Sequence, residues 1–177
     1  MATTLIIDGY NLLGARHPTQ HKENTLPESG REELLRMLAA YRQRKGHAIL
    51  VVFDGWRTGS TLEQHERRLG IDVVYSRRGE RADQVIQRLA WDHGTSCAVV
   101  SSDHEVVNSA RIAGAFVISA TEFWSRLHTL SSDRDRQRFK ELDSEREAPF
   151  KARSEKKGNP RKLPKSQRKR RQQLKGF

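Results

Sequence analysis

Five short runs of apolar, largely β-branched residues set the limits on what this chain can fold into: Leu5-Ile6-Ile7, Ala48–Phe53, Ile71–Tyr75, Cys97–Val100 and Phe116–Ile118. They are apolar nearly throughout rather than alternating, which is the pattern of strands buried on both faces. Helical spacing fills the gaps between them. Leu34, Leu35, Leu38 and Tyr41 share one helical face, and Ser29-x-x-Glu32 reads as its capping box. Val85, Ile86, Leu89 and Ala90 make a second face, Val106, Val107 and Ala110 a third, and Phe123, Trp124, Leu127 and Leu130 a fourth. The stretch 61–69 predicts a weaker helix, with only Leu62 and Leu69 spaced for burial. Gly46, Gly70, Gly94 and Gly114 each fall after a helical segment and before a strand, where helix C-terminal caps are expected. The repeated alternation predicts an α/β fold: a parallel sheet with helices on both faces.

One connection is long. About twenty residues separate Gly9 from the helix near Ser29, and they leave from the carboxyl end of the first strand. Loops of that length in a compact domain are usually functional or disordered.

Charge divides the chain. The formal net charge is +11, and the last 27 residues hold 12 Lys/Arg against one Glu, so residues 1–150 balance to zero. The expected organisation is a catalytic-type domain over 1–130, a charged helix over 131–148 and a basic, disordered tail over 149–177. The tail has too little apolar surface to fold alone. Cys97 is the single cysteine, which leaves no disulfide framework and no Cys-based zinc site. It lies in the apolar run CAVV, where a thiol acts as a small hydrophobe. The N-terminal MATTLIIDG lacks a basic n-region, and no segment reaches the roughly 18–20 apolar residues of a membrane helix. A cytoplasmic protein with no membrane partner is the expectation.

The apolar runs stop at acids. Asp8 follows the first, Asp54 the second and Asp103 the fourth, while Asp83 opens the helical segment after the third. In open α/β sheets functional groups collect at the carboxyl ends of the strands. Four carboxylates gathered there form a strongly negative pocket, which a hard cation such as Mg2+ or Mn2+ makes tolerable. That combination points to metal-dependent phosphodiester chemistry. Asp8, Asp83 and Asp103 are the expected primary ligands, with Asp54 a ligand or its outer partner. The second strand should neighbour the first at about 4.8 Å, which brings Asp54 to Asp8.

Each acid also has a local explanation. Asp8 and Asn11 suit turn hydrogen bonds, and Asp54-Gly55 suits a turn. Asp83 suits the positive end of a helix, and Asp103 sits inside a Ser102-x-x-Glu105 capping box. In the functional reading Asn11 orients Asp8 or touches substrate, and Ser101 or Ser102 orients Asp103 or a phosphate oxygen. Glu80 is a candidate outer carboxylate and His104 a candidate substrate neighbour. His17-x-x-x-His21 has metal-ligand spacing, but Pro18 argues against the regular helix that a zinc pair there needs.

Taken together, DGYNLL, VVFDG, VVYSRRGERADQVI, AVVSSDHEV and GAFVISATEFW resemble the NYN-domain family, in its YacP-like branch of the PIN-like nucleases. The resemblance runs over roughly residues 3–128. It implies a PIN-like (Rossmann-like) sheet with the five strands ordered 3-2-1-4-5, and Mg2+- or Mn2+-dependent endoribonuclease activity. It implies that Asp8, Asn11, Asp54, Asp83 and Asp103 occupy the family's acidic site. It says nothing about the basic extension. In that order the topological switch lies between the first and fourth strands, so Asp8 and Asp103 flank the crevice.

An acidic pocket repels a polyanion, so RNA needs a separate hold. Arg57, Arg77, Arg78 and Arg81 lie near the same edge, and the tail, including Lys169, Arg170 and Arg171, suits sequence-independent phosphate contact. RNA is the expected partner, with mRNA or rRNA at the ribosome among its forms. Two other classes remain open. One is a non-catalytic RNA-binding adaptor that works through its tail. The other is a phosphatase-like or nucleotide-binding enzyme. The chain has neither a G-x-G-x-x-G fingerprint nor a P-loop, and DGYN lacks the second strand-end Asp of aspartyl-phosphate chemistry.

Overall fold

The computed structural model describes residues 3–15, 28–55, 61–129, 172–174 and 176. The chain divides into two compact units, Met1–Ser132 and Asp133–Phe177. In the second, the described residues are one helical turn at 172–174 and Gly176. His17, His21, Arg57, Lys169, Arg170, Arg171 and the charged helix expected over 131–148 lie outside the described residues, as does nearly all of the tail.

In the first unit the elements run β1 (Thr4–Asp8), α1 (Gly9–Gly14), α2 (Glu28–Lys45), β2 (Ala48–Phe53), β3 (Gln64–Arg68), β4 (Ile71–Tyr75), α3 (Ala82–His93), a 3-10 turn (Gly94–Ser96), β5 (Cys97–Val100), α4 (His104–Ile112) and β6 (Phe116–Ile118). A helix over 120–129, α5, follows. The sheet order is β3-β4-β2-β1-β5-β6. The five apolar runs all form strands and all pair in parallel. Leaving β3 aside, their order is the expected 3-2-1-4-5.

The stretch expected as a weak helix is instead β3, antiparallel to β4 at the sheet edge. Its sequence, QHERR, is exposed at every position and offers no apolar stripe to a helix. Leu62 and Leu69, the two residues spaced for burial, are exposed. What holds the segment is backbone pairing through the Leu69-Gly70 turn, where both φ angles are positive, 55° and 78°. Two left-handed residues in succession match the turn that joins tightly paired antiparallel strands. Gly70 therefore turns a hairpin and does not cap a helix. The charged edge also discourages pairing with another chain.

Three local expectations change as well. The long first connection begins as a helix, α1, rather than as loop. α2 already runs at Glu28, so Ser29 lies inside the helix and does not cap it. Asp103, not Ser102, caps α4.

The core has two faces. On one, α3 and α4 cover Ile6, Val52, Val74 and Val99 with Val85, Ile86, Val106 and Ala110. On the other lie Leu34, Leu35, Leu38 and Tyr41 of α2, whose Tyr41 ring meets Phe123 of α5 edge-on at 5.1 Å. Strand residues such as Ile6, Ile7, Val51, Val99 and Val100 are wholly buried, as expected for a sheet covered on both sides. Cys97 is buried, and burial pushes its thiol pKa up. Among the described residues no helix is long and apolar enough to cross a membrane.

Candidate active site

Parallel register brings the four acids to one edge. Ile7 pairs with Val51 on one side and Val100 on the other, so Asp8 lies level with Val52 and with Ser101, the first residue past β5. Asp8 both ends β1 and caps α1. Its Oδ1 accepts from the Asn11 amide at 3.0 Å, and its Oδ2 accepts from the Ser101 hydroxyl at 3.2 Å. Asp8 is only 6% exposed. Burial pushes its pKa up to about 7; the Asn11 amide pulls down, Asp83 pushes up, the Ser101 hydroxyl pulls down and Asp54 pushes up. A buried carboxylate of this kind resists ionising unless positive charge arrives.

The serines hold that geometry. Ser101 is fully buried, and its hydroxyl also accepts from the Asp103 amide at 3.1 Å. One side chain thus links the end of β1 to the start of α4. Asn11 Oδ1 accepts from the Ser102 amide at 2.9 Å, and Ser102 Oγ accepts from the Ala120 amide at 3.0 Å. Three residues considered as substrate contacts therefore spend these groups on tying loops together.

Asp54 reaches across the edge. Its Oδ1 accepts from the Ala82 amide at 2.6 Å, one of the N–H groups that a helix start leaves unpaired. The turn behind it is clamped: Gly55 N donates to the buried Ser76 Oγ at 3.0 Å, and Ser76 N donates to the Phe53 carbonyl at 3.0 Å. A Cβ at Gly55 would lie 1.8 Å from the Ser76 carbonyl oxygen, so only glycine permits this approach.

Asp83 follows in the first turn of α3, and its side chain is 14% exposed. It forms an ion pair with Arg81, yet its buried Oδ2 makes no hydrogen bond. These observations differ only in angle: the guanidinium supplies charge at close range without a directed N–H. Burial raises the Asp83 pKa; Arg81 opposes this, while Asp103, Asp54 and Glu105 add to it. Asp103 directs Oδ1 to the Glu105 and Val106 amides at 2.8 and 3.3 Å, capping α4.

The acids thus sense one another: Asp8 with Asp83 and Asp54, Asp83 with Asp103, Asp54 and Glu105. Glu105, which the sequence marks only as a capping partner, also acts on Asp83. Glu80 turns elsewhere, to Arg77 and Arg88. Arg81 is the counter-ion of Asp83 rather than a free cation. Arg78 and His104 are exposed.

Among the described residues no three His, Cys, Asp or Glu side chains stand together at metal-ligand spacing. The donors nonetheless fit a hard cation. Asp83 Oδ2 is buried and met only by the Arg81 guanidinium, without a directed hydrogen bond, and Asp8 is held back from ionising beside two other acids. Mg2+ in particular is often held by one or two carboxylates plus waters, not by a full protein cage.

Residues 5–171 match the YacP-like NYN domain family. The YacP protein of Bacillus subtilis (strain 168) is 28% identical over 147 residues, covering 81% of this chain and 85% of its own. The crystal structure of Rae1 (YacP) from Bacillus subtilis is similar at 26% identity and a TM-score of 0.61, over 80% of this chain and 82% of that one. A variant of Rae1 (YacP) gives a TM-score of 0.65 at 26% identity, over 82% and 86%.

Proposed function

The chain belongs to the YacP-like NYN domain family of PIN-like nucleases, and on that premise we propose that it is an endoribonuclease that hydrolyses RNA with Mg2+ or Mn2+ at the acidic edge. The observation that carries this reading is the convergence of Asp8, Asp54, Asp83 and Asp103, with Asp8 pushed up to about 7 and one Asp83 oxygen left without a hydrogen bond. Such a set is costly without a cation and useful with one.

Asp8, Asp83 and Asp103 would hold the ion. When bound, the ion supplies positive charge at the scissile phosphate and a more acidic water. The remaining work falls to the chain. Asn11 and Ser101 fix the Asp8 carboxylate from both sides. Asp54 holds the start of α3, and so sets where Asp83 stands. Arg81 offsets the charge on Asp83 before metal arrives. Attack by water leaves a 5′-phosphate and a 3′-hydroxyl. End-group analysis of the cut RNA tests this chemistry; a 2′,3′-cyclic phosphate would contradict it.

Ser101→Ala is expected to lower Mn2+ affinity by about 10- to 100-fold, as loss of an outer-shell partner does. It should also raise the Asp8 pKa further, because the Ser101 hydroxyl pulls that pKa down. Calorimetric titration with Mn2+ checks it, and an affinity equal to the wild type would contradict it.

RNA as partner, at the ribosome or free, rests on the tail's 12 basic residues. Removing 151–177 should weaken RNA binding and flatten its salt dependence, since fewer counterions are then released. An unchanged salt slope would remove the tail from this account.

A further inference from the structure

A second charged feature lies beside the acidic edge and is not used by the chemistry above. A cleft of about 680 Å³ is lined by Thr61, Arg77, Arg78, Glu80, Gln84 and Arg88 among others. We propose that this cleft is a subsite for a backbone phosphate of the RNA strand, and that Glu80 occupies it as an internal anion until RNA displaces it.

The argument begins with the turn. Arg77-Arg78-Gly79-Glu80 closes through the Glu80 amide donating to the Arg77 carbonyl at 3.0 Å, with Gly79 at φ +85°. That left-handed position favours glycine. The turn sets Arg77 and Glu80 side by side, and Arg88 comes to them from α3. Glu80 then serves two guanidiniums with different oxygens: Oε2 lies 3.1 Å from Arg77 Nε, and Oε1 lies 3.0 Å from Arg88 Nη1. Two non-bridging phosphate oxygens would meet a pair of guanidiniums in the same way.

Exposure supports displacement. Glu80 is 10% exposed, whereas Arg77 and Arg88 are 61% and 47% exposed, so the cations reach outward past their carboxylate. Arg88 also pairs with Glu63. Arg78 has no ion-pair partner among the described residues. The lining carries three arginines against one acid. Gln84 and Thr61 add uncharged hydrogen-bonding groups. Exposed ion pairs contribute little to folding, so stability alone is a weak reason for gathering these arginines.

Position supplies the link to the site. Asp83 and Gln84 are adjacent in the first turn of α3, about 100° apart around its axis. The acidic pocket and the cleft therefore occupy neighbouring faces of one helix start. A strand with its scissile phosphate at the carboxylates carries another phosphate toward the arginines. The identity of the anion rests on the RNA-cutting reading; the internal-anion geometry does not.

The test is binding without cutting. Full-length chain carrying Asp83→Asn is titrated in EDTA with a short labelled single-stranded RNA over a range of salt. On that background Arg78→Ala and Arg88→Ala should each weaken binding by about fivefold and reduce the salt slope by roughly one contact. Glu80→Gln should tighten binding about threefold or more, because neutral glutamine competes poorly for two guanidiniums. Arg111→Ala, in the last turn of α4, should change nothing. Equal behaviour of Arg78→Ala, Arg88→Ala and Arg111→Ala would overturn the subsite. Weaker or unchanged binding by Glu80→Gln would overturn the internal anion, because a purely structural network loses hold when Glu80 is neutralised. These shifts in a chain whose wild type cuts no RNA would keep the subsite and remove the nuclease assignment, so the two readings fail separately.

Discussion

Asp83→Asn is expected to slow RNA hydrolysis by about a thousandfold while leaving the metal-free chain at least as stable as the wild type. The two effects have one origin. Asp83 carries a buried oxygen without a hydrogen bond, and burial with nearby Asp103, Asp54 and Glu105 raises its pKa. Arg81 opposes this only in part, so the ionised form stays unfavourable in the folded chain until a further cation offsets it. Asparagine removes that charge, and with it much of the hold on the cation. The lost ion pair with Arg81 matters little to folding, because that guanidinium is 69% exposed. Cleavage rates with Mn2+ and thermal unfolding in EDTA measure the two halves. A variant that loses activity because it unfolds early would contradict this account, and so would one that cuts at the wild-type rate.

The second large effect is on stability against pH. Asp8 titrates near 3.8 when unfolded and at about 7 when folded. Between those values the folded state binds the proton and the unfolded state does not. Stability contributed by the protonated form is thus full below about 3.8, declines as pH rises, and is lost above about 7. The shift of about three units corresponds to roughly 4 kcal/mol. In EDTA, urea unfolding should show the wild type losing stability relative to Asp8→Asn from pH 5 to pH 8. Mn2+ should restore it at pH 8 and have little effect at pH 5, since a cation binds the ionised carboxylate. Parallel curves for the wild type and Asp8→Asn would remove Asp8 from the centre of the site.

What could be read from the residues follows physical lines. A strand buried on both faces advertises itself as a continuous apolar run, and β1, β2, β4, β5 and β6 were all legible for that reason. β3 was not, because an edge strand such as QHERR carries no apolar signal and exists through its pairing with β4. α1 leaves no trace in the sequence because GYNLLG is too short to show a helical period. The positions of Asp8, Asp54, Asp83 and Asp103 at strand and helix ends were legible, since those ends are marked by where hydrophobicity stops. Which oxygen bonds to which amide was not. The bonds from Asp54 to Ala82 and from Asn11 to Ser102 join residues distant in sequence. The pairing of Arg81 with Asp83, and of Glu80 with Arg77 and Arg88, depends on side-chain directions that composition does not encode. The sequence points to Ser102 as the cap of α4, but Asp103 takes that place because its Oδ1 reaches two amides while Ser102 is drawn to Ala120.

The most direct measurement incubates a mixed RNA pool, including ribosome-bound mRNA, with the wild type and Asp83→Asn, in Mn2+ or in EDTA. The account predicts discrete cuts by the wild type in Mn2+ alone, with 5′-phosphate ends, and none by the variant. RNA that is bound tightly but stays intact under every condition would contradict it, and would make the chain an adaptor that works through its basic tail.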